Sequence, residues 1–311
     1  MSGCGGEGDS PDTPVGRRPP LLTRTVVLDR RFLELDGARA SARDCRLVLE
    51  APEVAREGRP GQFVHVACPP GRAPDGLPGR PFLRRPLSLH DTDPRRGTVT
   101  LLFRVKGTGT AALAALEPGD RLDLLGPLGR GFPPPRRCRR AVLVGGGLGL
   151  APLLLLAKDL VGRLHREELG GVELLAGLAG REDLGLLEPF REQARAGLGL
   201  AVATEDGAPG TVRGLVTDLL SAVLETHAGN VAVYACGPVP MLAAVARMAR
   251  RVGVGEAWLS VEARMACGVG ACRGCAVPAP PGSRPVWRLV CREGPVFPLD
   301  ALDWEALARD G

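Results

Sequence analysis

The sequence predicts a multi-domain chain: an antiparallel β-barrel, then an α/β domain with a parallel sheet, then a small cysteine-rich module at the C-terminus. Three observations support this fold class. Short apolar segments fill residues 23–130, strand and helix patterns alternate over residues 136–261, and four of the nine cysteines fall after residue 262. The chain has 311 residues, whereas single hydrophobic cores stop growing at roughly 250–300 residues, so we expect more than one domain.

The barrel is predicted for residues 21–135. Its segments are short, rich in β-branched and aliphatic residues and bounded by Gly or Pro turns, which is typical of antiparallel sheets. The predicted strands include residues 25–28, 45–49, 62–66, 99–103 and 120–125. Residues 1–20 consist largely of Gly, Pro, Asp and Ser. Because such a segment buries too little apolar surface to offset its ordering entropy, we expect disorder there.

The α/β domain is predicted for residues 136–261. After Pro133-Pro134-Pro135 the pattern changes to apolar strands separated by segments of helical period, which indicates a parallel sheet covered by helices. The predicted strands are residues 141–144, 172–176, 198–203, 231–235 and 257–261. The predicted helices are residues 151–164, 184–194, 216–224 and 240–252. Residues 262–311 show neither pattern and form the predicted C-terminal module.

Composition excludes several classes of protein. Hydrophobic residues make up 44% and charged residues 24%, as in ordinary globular proteins. The longest apolar run, near residues 153–156, is far shorter than the roughly 20 residues that cross a bilayer. The N-terminus lacks the pattern of a signal peptide, so we expect a cytoplasmic protein without a membrane partner. The net charge of +5 comes from Arg residues interspersed with acidic ones, which argues against nucleic acid as a partner.

The cysteines after residue 262 form the strongest motif. Cys267, Cys272, Cys275 and Cys291 have the spacing C-x4-C-x2-C-x15-C, which is that of plant-type [2Fe–2S] ferredoxins. Gly268, Gly270 and Gly274 suit a loop that curls around a two-iron core, because glycine adopts positive φ and lets the backbone approach sulfur closely. The alternative is a structural zinc site, but zinc usually takes paired short knuckles, and only Cys272 and Cys275 form one.

Two segments of the predicted barrel suggest a binding site for a flavin dinucleotide. Arg84–Ser88 is predicted to close one strand, and residues 103–110 to close another. Arg85 can pair with a pyrophosphate, Ser88 can hydrogen-bond the flavin, and Gly109-Thr110 can offer backbone N–H groups to phosphate. A surface Arg pair and a Gly-rich turn are common in any protein. The order of barrel, parallel sheet and cysteine cluster is what favours FAD.

Two segments of the predicted α/β domain suggest a binding site for a nicotinamide dinucleotide. Gly145, Gly146, Gly147 and Gly149 lead from a strand into a helix, where glycines let a dinucleotide approach the helix N-terminus. The third glycine of the G-x-G-x-x-G fingerprint is replaced by Leu150. Cys236-Gly237-Pro238 follows a later strand at the same predicted edge of the sheet. A buried, inert thiol is the alternative for Cys236.

No side chain is predicted to act as a catalytic acid, base or nucleophile. The four histidines, among them His65 and His90, lie apart from one another in the sequence and share no acid or nucleophile. The G-x-S-x-G, H-E-x-x-H and Walker patterns are absent from the sequence. Hydrolase and NTPase functions are therefore not predicted.

The motifs together resemble those of the ferredoxin–NADP reductase superfamily. The elements that carry the resemblance are, in this order, Arg85-Pro86-Leu87-Ser88, Gly109-Thr110, the glycines of residues 145–149 with Pro152, and Cys236-Gly237-Pro238. With residues 262–267 and Cys291-Arg-Glu-Gly-Pro-Val-Phe297, the chain is similar to the electron-transfer subunits of type B dihydroorotate dehydrogenases. The resemblance covers residues 21–300.

This resemblance implies a set of cofactors, partners and site residues. FAD would be held by Arg85, Pro86, Leu87, Ser88, Leu102, Phe103, Arg104, Gly109 and Thr110. NAD would be held by Gly145, Gly146, Gly147, Gly149, Cys236, Gly237 and Pro238. The [2Fe–2S] cluster would lie between this FAD and the FMN of a separate catalytic subunit, in a heterotetramer. Leu87 stands where many reductases have an aromatic residue, and the N-terminal extension exceeds what the family needs.

The implied function is transfer of electrons from dihydroorotate, through the partner's FMN, the cluster and FAD, to NAD⁺ in pyrimidine biosynthesis. Reductase subunits of hydrogenase, sulfur-reducing or ferredoxin-linked transhydrogenase complexes share the same modules and stay open as alternatives. So does a zinc-bearing scaffold without enzyme activity. The residues do not decide between NAD and NADP, because Arg181 could meet a 2′-phosphate while the adjacent acids would oppose it; the family favours NAD.

Overall fold

The structure is a computed structural model that describes residues 20–33, 43–69, 71–72, 78–79 and 81–310. A closed six-stranded barrel and a seven-stranded sheet form its two main bodies, which confirms the predicted fold class. The disorder expected for residues 1–20 falls, except at Pro20, outside the described residues. None of the helices in the described part of the chain is long and apolar enough to cross a membrane.

The first half of the chain builds the barrel, whose strands follow one another around it in the order β1-β2-β7-β6-β3-β8. Neighbouring strands are antiparallel. The elements are β1 (Leu21–Phe32), β2 (Asp44–Glu50), α1 (Pro52–Glu57), β3 (Phe63–Val66), β4 (Gly71–Arg72), β5 (Pro78–Gly79), β6 (Arg85–Asp93), β7 (Thr98–Arg104), α2 (Thr108–Ala114) and β8 (Arg121–Leu128). The five predicted segments match β1, β2, β3, β7 and β8.

Strand β6 differs from the prediction, because Arg84–Ser88 opens a strand instead of closing one. Arg85 is the first residue of β6, and Pro86 is the second. Proline lacks the N–H that continues a ladder and is tolerated near a strand's first residue. A proline at the second position is therefore compatible with the start of this strand.

Alternation of side chains fills the barrel. In β8, Leu122 and Leu124 are buried while Arg121 is exposed, since successive strand residues point to opposite faces. Val64 and Val66 of β3 belong to the same barrel core. Their neighbour Phe63 is equally buried but packs in a different core, outside the barrel. Strand β3 therefore has apolar contacts on both faces.

The second sheet has the strand order β12-β11-β10-β9-β13-β14-β17, in which only β17 runs antiparallel to its neighbour. Its elements up to residue 260 are β9 (Arg140–Gly146), α3 (Leu153–His165), β10 (Gly171–Leu178), α4 (Arg191–Arg195), β11 (Gly199–Thr204), β12 (Val212–Arg213), α5 (Val216–His227), β13 (Val231–Cys236), α6 (Val239–Val252) and β14 (Glu256–Ser260). The five predicted strands match β9, β10, β11, β13 and β14.

One predicted helix is wrong in type. Residues 184–194 were expected to be α-helical, but Arg181–Phe190 forms a 3₁₀ stretch and only the short α4 follows it. Pro189 lies inside this stretch, and a proline removes a helical hydrogen bond and clashes with the preceding turn. By contrast, α6 begins with a proline in its first turn and ends at Gly253 with φ 67°, which are ordinary start and stop signals.

The strand order places a switch point between β9 and β13. From β9 the chain proceeds to β10 and β11 on one side, and then returns to β13 and β14 on the other. Ligands of open α/β sheets bind at such a point, outside the carboxyl ends of the strands. Gly145 of β9 pairs with Cys236 of β13 at that end, so the two predicted dinucleotide motifs meet there.

The C-terminal residues form regular structure around the cysteines. The elements are β15 (Ala276–Pro278), β16 (Trp287–Leu289), α7 (Val290–Glu293), β17 (Val296–Pro298) and α8 (Trp304–Asp310). The fully buried Trp304 packs in the same core as α5 and α6. The predicted domain boundaries stay predictions, and β17 shows that residues beyond 261 also complete the parallel sheet.

Candidate functional site

The four predicted cluster cysteines come together in two pairs. The Sγ atoms of Cys275 and Cys291 are 3.2 Å apart, and the backbone N–H of Cys272 donates to Sγ of Cys267 at 3.4 Å. Cys275 and Cys291 are buried, whereas Cys267 is half-buried and Cys272 is exposed. The loop thus presents one thiol pair to the interior and one toward solvent.

This pairing fits a two-iron core better than a single ion. A [2Fe–2S] cluster needs two thiolates for each of two irons, whereas structural zinc needs about four ligands around one point. The donor set therefore favours the iron–sulfur interpretation over the zinc scaffold.

Backbone N–H groups point at the thiols. Burial raises the pKa of Cys267, but N–H donation from Cys272 and Val269 outweighs it and lowers the pKa to about 6. Burial, together with the adjacent Cys275 thiol, raises the pKa of Cys291 to about 12. Metal ligands must be deprotonated, so the Cys267 thiol is prepared for ligation, while the Cys291 thiol would lose its proton on binding iron.

The glycines of the loop only partly follow the prediction. Gly268 and Gly270 have φ values of 71° and 86°, a conformation that favours glycine. Gly274 does not share it; instead Arg273 has φ 59°. The role of Gly274 is different, because its N–H donates to Sγ of Cys272 at 3.4 Å.

The two fragments predicted to bind the FAD phosphates face each other. Gly109, in the first turn of α2, lies under the Arg85 guanidinium, where even a single added Cβ would overlap the Arg85 side chain. Nη1 of Arg85 donates to the carbonyl oxygen of Leu83 at 2.6 Å. Oγ1 of Thr110 accepts N–H bonds from Lys106 and Gly107 at 3.0 and 3.2 Å, which orders the turn. A glycine cradle beneath a guanidinium fits a bound pyrophosphate.

The remaining predicted FAD residues differ in what they present. Phe103 is fully buried in the barrel core, so only its backbone is available to a ligand. Leu87 is half-buried and packs against the same core, while Leu102 packs against the core of the α/β domain. Pro86 and Ser88 lie on the opposite face of β6 from Leu87, since side chains alternate along a strand.

The Arg104 side chain joins the two main bodies. Its Nε and Nη2 donate to the Asp44 carboxylate at 2.7 and 2.6 Å, and Nη2 also donates to Asp183 at 2.7 Å. Hydrogen bonding to Asp44 raises the pKa of Arg104, which stays charged. Asp44 and Asp183 are buried, so this guanidinium satisfies two carboxylates. The resemblance implied an FAD contact here, and the structure shows a structural ion pair that sequence analysis did not predict.

The two predicted NAD motifs contact each other through the backbone. A Cβ on Gly149 would overlap the backbone of Cys236 and Gly237, and a Cβ on Gly146 would lie 2.6 Å from Sδ of Met241. Burial raises the pKa of Cys236, so its thiol is neutral at physiological pH. Close backbone approach at the switch point fits a dinucleotide, while burial also fits the simpler alternative for Cys236.

Comparison with known proteins identifies the family. Residues 262–303 match the model of the iron–sulfur cluster binding domain of dihydroorotate dehydrogenase B. The chain is 42% identical over 289 residues to the dihydroorotate dehydrogenase B (NAD⁺) electron transfer subunit of Bacillus caldolyticus, covering 91% of this chain and 97% of the relative. It is 39% identical to the same subunit of Shouchella clausii, covering 83% and 92%. The chain belongs to this family of electron transfer subunits.

Solved structures place the family among flavin reductases. The NADH-dependent reduced ferredoxin–NADP oxidoreductase superposes with a TM-score of 0.71 at 26% identity, covering 92% of this chain and 91% of that chain. A ferredoxin–NADP⁺ reductase from Neisseria gonorrhoeae, at 18% identity, shares the fold with a TM-score of 0.56 and covers 76% of this chain and 92% of that chain. The predicted superfamily and the predicted set of FAD, NAD and [2Fe–2S] cofactors agree with these findings.

One residue that received no role from the sequence lies inside the electron transfer subunit's candidate site. His65 of β3 is fully buried, and its ring lies directly against Gly268 of the cluster loop. These residues are about two hundred positions apart, and no local motif links them. The only sequence signal was a histidine within an apolar strand, which is also typical of a core residue.

Proposed function

We propose that this electron transfer subunit accepts electrons from the FMN of a dihydroorotate dehydrogenase catalytic subunit and delivers them to NAD⁺. The observation that carries the proposal is the arrangement of the cysteines. Cys275 and Cys291 are buried in a core that includes Phe63 of the barrel, whereas Cys267 is half-buried and Cys272 is exposed at the surface. Electrons that pass from a flavin in a partner to a flavin in this chain need a cluster that is accessible at the surface and also in contact with the interior.

The residues of this chain would bind and orient three groups. Cys267, Cys272, Cys275 and Cys291 would hold the cluster, Arg85 and Gly109 the FAD pyrophosphate, and the glycines of β9 with Cys236–Pro238 the nicotinamide dinucleotide. When bound, FAD converts the single electrons of the cluster into the two-electron hydride that nicotinamide accepts. No side chain here has to transfer a proton to dihydroorotate, because that oxidation would occur in the partner.

The partner would dock on the exposed side of the cluster loop. Val269 is 45% exposed, and Ala271 and Cys272 are also exposed. Trp287, in the hairpin that follows Cys275, is 52% exposed. Apolar side chains gathered at the surface around a redox centre suit a protein interface. Met265, a further candidate from the sequence, is buried in the core, so packing within this chain explains it.

NAD is the proposed acceptor in preference to NADP. The backbone N–H of Arg181, after β10, donates to the Asp206 carboxylate at 3.1 Å. A Cβ on Gly180 would lie 2.6 Å from the same carboxylate, so the Asp206 side chain lies next to the turn that follows β10. A carboxylate here suits a ribose hydroxyl and would repel a 2′-phosphate.

The test is reconstitution. The protein, loaded with FAD and the [2Fe–2S] cluster, is mixed with a type B dihydroorotate dehydrogenase catalytic subunit from the same organism. Dihydroorotate-dependent reduction of NAD⁺ is then followed. We expect Val269→Glu to abolish this coupled activity while leaving NADH oxidation with a small artificial acceptor intact. Val212→Glu is the matched control, since Val212 is 52% exposed on β12, at the opposite edge of the sheet from β17.

The outcomes separate this proposal from its main rival. Binding to a hydrogenase or transhydrogenase subunit, with no affinity for the dihydroorotate dehydrogenase catalytic subunit, would contradict the pyrimidine pathway and favour the rival. The similarity to the ferredoxin–NADP oxidoreductase makes that rival worth the comparison. We also propose a cytoplasmic heterotetramer of two subunits of each kind, which sedimentation of the mixture would measure directly.

A further inference from the structure

The inference concerns His65, which lies on the outer face of β3. In the antiparallel ladders, His65 pairs with Pro86 of β6 and with Leu125 of β8, and its neighbour Phe63 pairs with Ser88. Directly opposed residues in an antiparallel pair share a face of the sheet. His65 therefore shares its face with Pro86 and Ser88, two of the residues predicted to contact FAD.

The cluster loop covers that same face. A Cβ added to Gly268 would lie 2.9 Å from both Cε1 and Nδ1 of His65, so the loop backbone packs directly on this edge of the ring. Gly268 is the residue after Cys267. The ring of Phe63 meets His65 edge-on at 5.9 Å between centroids. The imidazole is thus enclosed between the flavin-binding strand, Phe63 and the loop that carries the cysteines.

Neither ring nitrogen of His65 has a hydrogen-bond partner among the described residues. The side chain has a relative exposure of 0%, so bulk water does not reach it. Burying a polar group without a partner destabilises a fold, and native proteins rarely leave one unpaired. Burial, and then the charge of nearby Arg84, lowers the pKa of His65 to about 4. The neutral ring has one N–H donor and one acceptor.

We propose that His65 is a positioning residue for the [2Fe–2S] centre, donating a ring N–H to a sulfur atom of the cluster or of its thiolate ligands. The inference rests on the proposed cofactor content of this chain. The donor holds the cluster loop against the strand that also carries Pro86 and Ser88. Because a reduced cluster carries one more negative charge, an N–H directed at sulfur stabilises the reduced form and raises the reduction potential.

The experiment compares His65→Leu, which keeps apolar volume but has no donor, with His65→Asn, whose amide restores a donor near the position of Nδ1. The potential of the cluster is measured on the isolated loaded subunit by redox titration monitored by electron paramagnetic resonance. For His65→Leu we expect the ratio of reduced to oxidised cluster at a fixed potential to fall about tenfold, which is a shift of about 59 mV for a one-electron couple. His65→Asn should recover most of that ratio.

Phe63→Leu is the control, because it alters packing on the same face without changing a hydrogen-bond donor, and its cluster potential should match wild type. An unchanged potential in His65→Leu would overturn the inference, as would a shift confined to the FAD. If His65→Leu loses the cluster, His65→Ala replaces it in the comparison. If His65→Asn then keeps the cluster with the wild-type potential, the donor role is supported. Loss of the cluster in His65→Leu, His65→Ala and His65→Asn alike contradicts it.

The proposed function fails in a different way. If the wild-type chain assembles no [2Fe–2S] centre, the cofactor assignment itself is wrong, and the inference falls with it. If it assembles the cluster but does not couple to a dihydroorotate dehydrogenase subunit, the pyrimidine assignment is wrong while the potentials of the His65 variants still decide the inference.

Discussion

Replacing Gly109 by alanine tests the FAD site at the point where the structure leaves least room. The added Cβ would overlap the Arg85 guanidinium. Since that group is the far end of a flexible side chain, it can move aside without unfolding the barrel. Gly109 is in α2 (Thr108–Ala114), where alanine is favoured over glycine by about 1 kcal/mol. The protein should therefore fold at least as stably as wild type while Arg85 is displaced.

The expected loss of affinity follows from the displaced guanidinium. A hydrogen bond to a charged group contributes about 1.5–3 kcal/mol, and each 1.4 kcal/mol is about tenfold in a dissociation constant. Losing one such bond between Arg85 and the pyrophosphate should raise the Kd for FAD by about 10- to 150-fold. Arg85→Ala should weaken FAD binding by a similar factor. The double variant should be no weaker than either single one, because both remove the same contact.

The assay is titration of FAD into flavin-free protein, followed by quenching of flavin fluorescence, with thermal unfolding measured in parallel. Gly107→Ala is the matched control, because its added Cβ meets no atom within 4 Å and its backbone is extended. Equal FAD affinity in Gly109→Ala and Gly107→Ala would refute the assignment of this cradle to the pyrophosphate. Reduced affinity together with a lower melting temperature would instead indicate a folding defect.

Three further predictions concern the cluster, the ion pair and acid stability. Cys272→Ser should lose the iron–sulfur spectrum and keep bound FAD, whereas Cys138→Ser, at a buried thiol far from the motif, should keep both. Arg104→Met leaves two buried carboxylates without their cation and should lower the free energy of unfolding by about 3–5 kcal/mol. Burial lowers the pKa of His90 to about 4, below its ordinary value, so the fold favours the neutral ring. In the flavin-free protein, the contribution of His90 to stability should therefore be full above about pH 6.5 and fall by roughly 3 kcal/mol toward pH 4, and His90→Gln should remove this part of the decline in denaturant titrations.

Local patterns predicted most of the strands because each pattern has a local cause. Alternating burial in β8 and the proline start of α6 follow from residues next to one another in the chain. The errors in the predicted elements arise at prolines, which are compatible with more than one position in a strand or helix. The segment Arg84–Ser88, with Pro86, is predicted to close a strand but opens one, while Pro189 interrupts a segment whose apolar spacing alone suggests an α-helix.

The candidate site was predictable only where its residues lie close together in sequence. The C-x4-C-x2-C spacing indicates a two-iron ligand set without any knowledge of the fold. By contrast, the contact of Arg104 with Asp44 and Asp183, and the contact of His65 with Gly268, depend on which strands and loops pack together. No spacing rule relates such residues, because the distance along the chain between them is set by the intervening domains.

The strand β3 lies between the barrel core and the cysteine module. One face of this strand, with Val64 and Val66, completes the barrel core, and β3 pairs with β6, which carries the proposed FAD-binding residues. The other face, with Phe63 and His65, meets the cysteine module: Phe63 shares a core with Cys275 and Cys291, and His65 lies against Gly268. Of the other two cysteines, Cys267 is half-buried and Cys272 is exposed. The outer face of this short strand therefore adjoins both proposed cofactor sites, so loss of the His65 ring there should alter electron transfer before it alters the barrel.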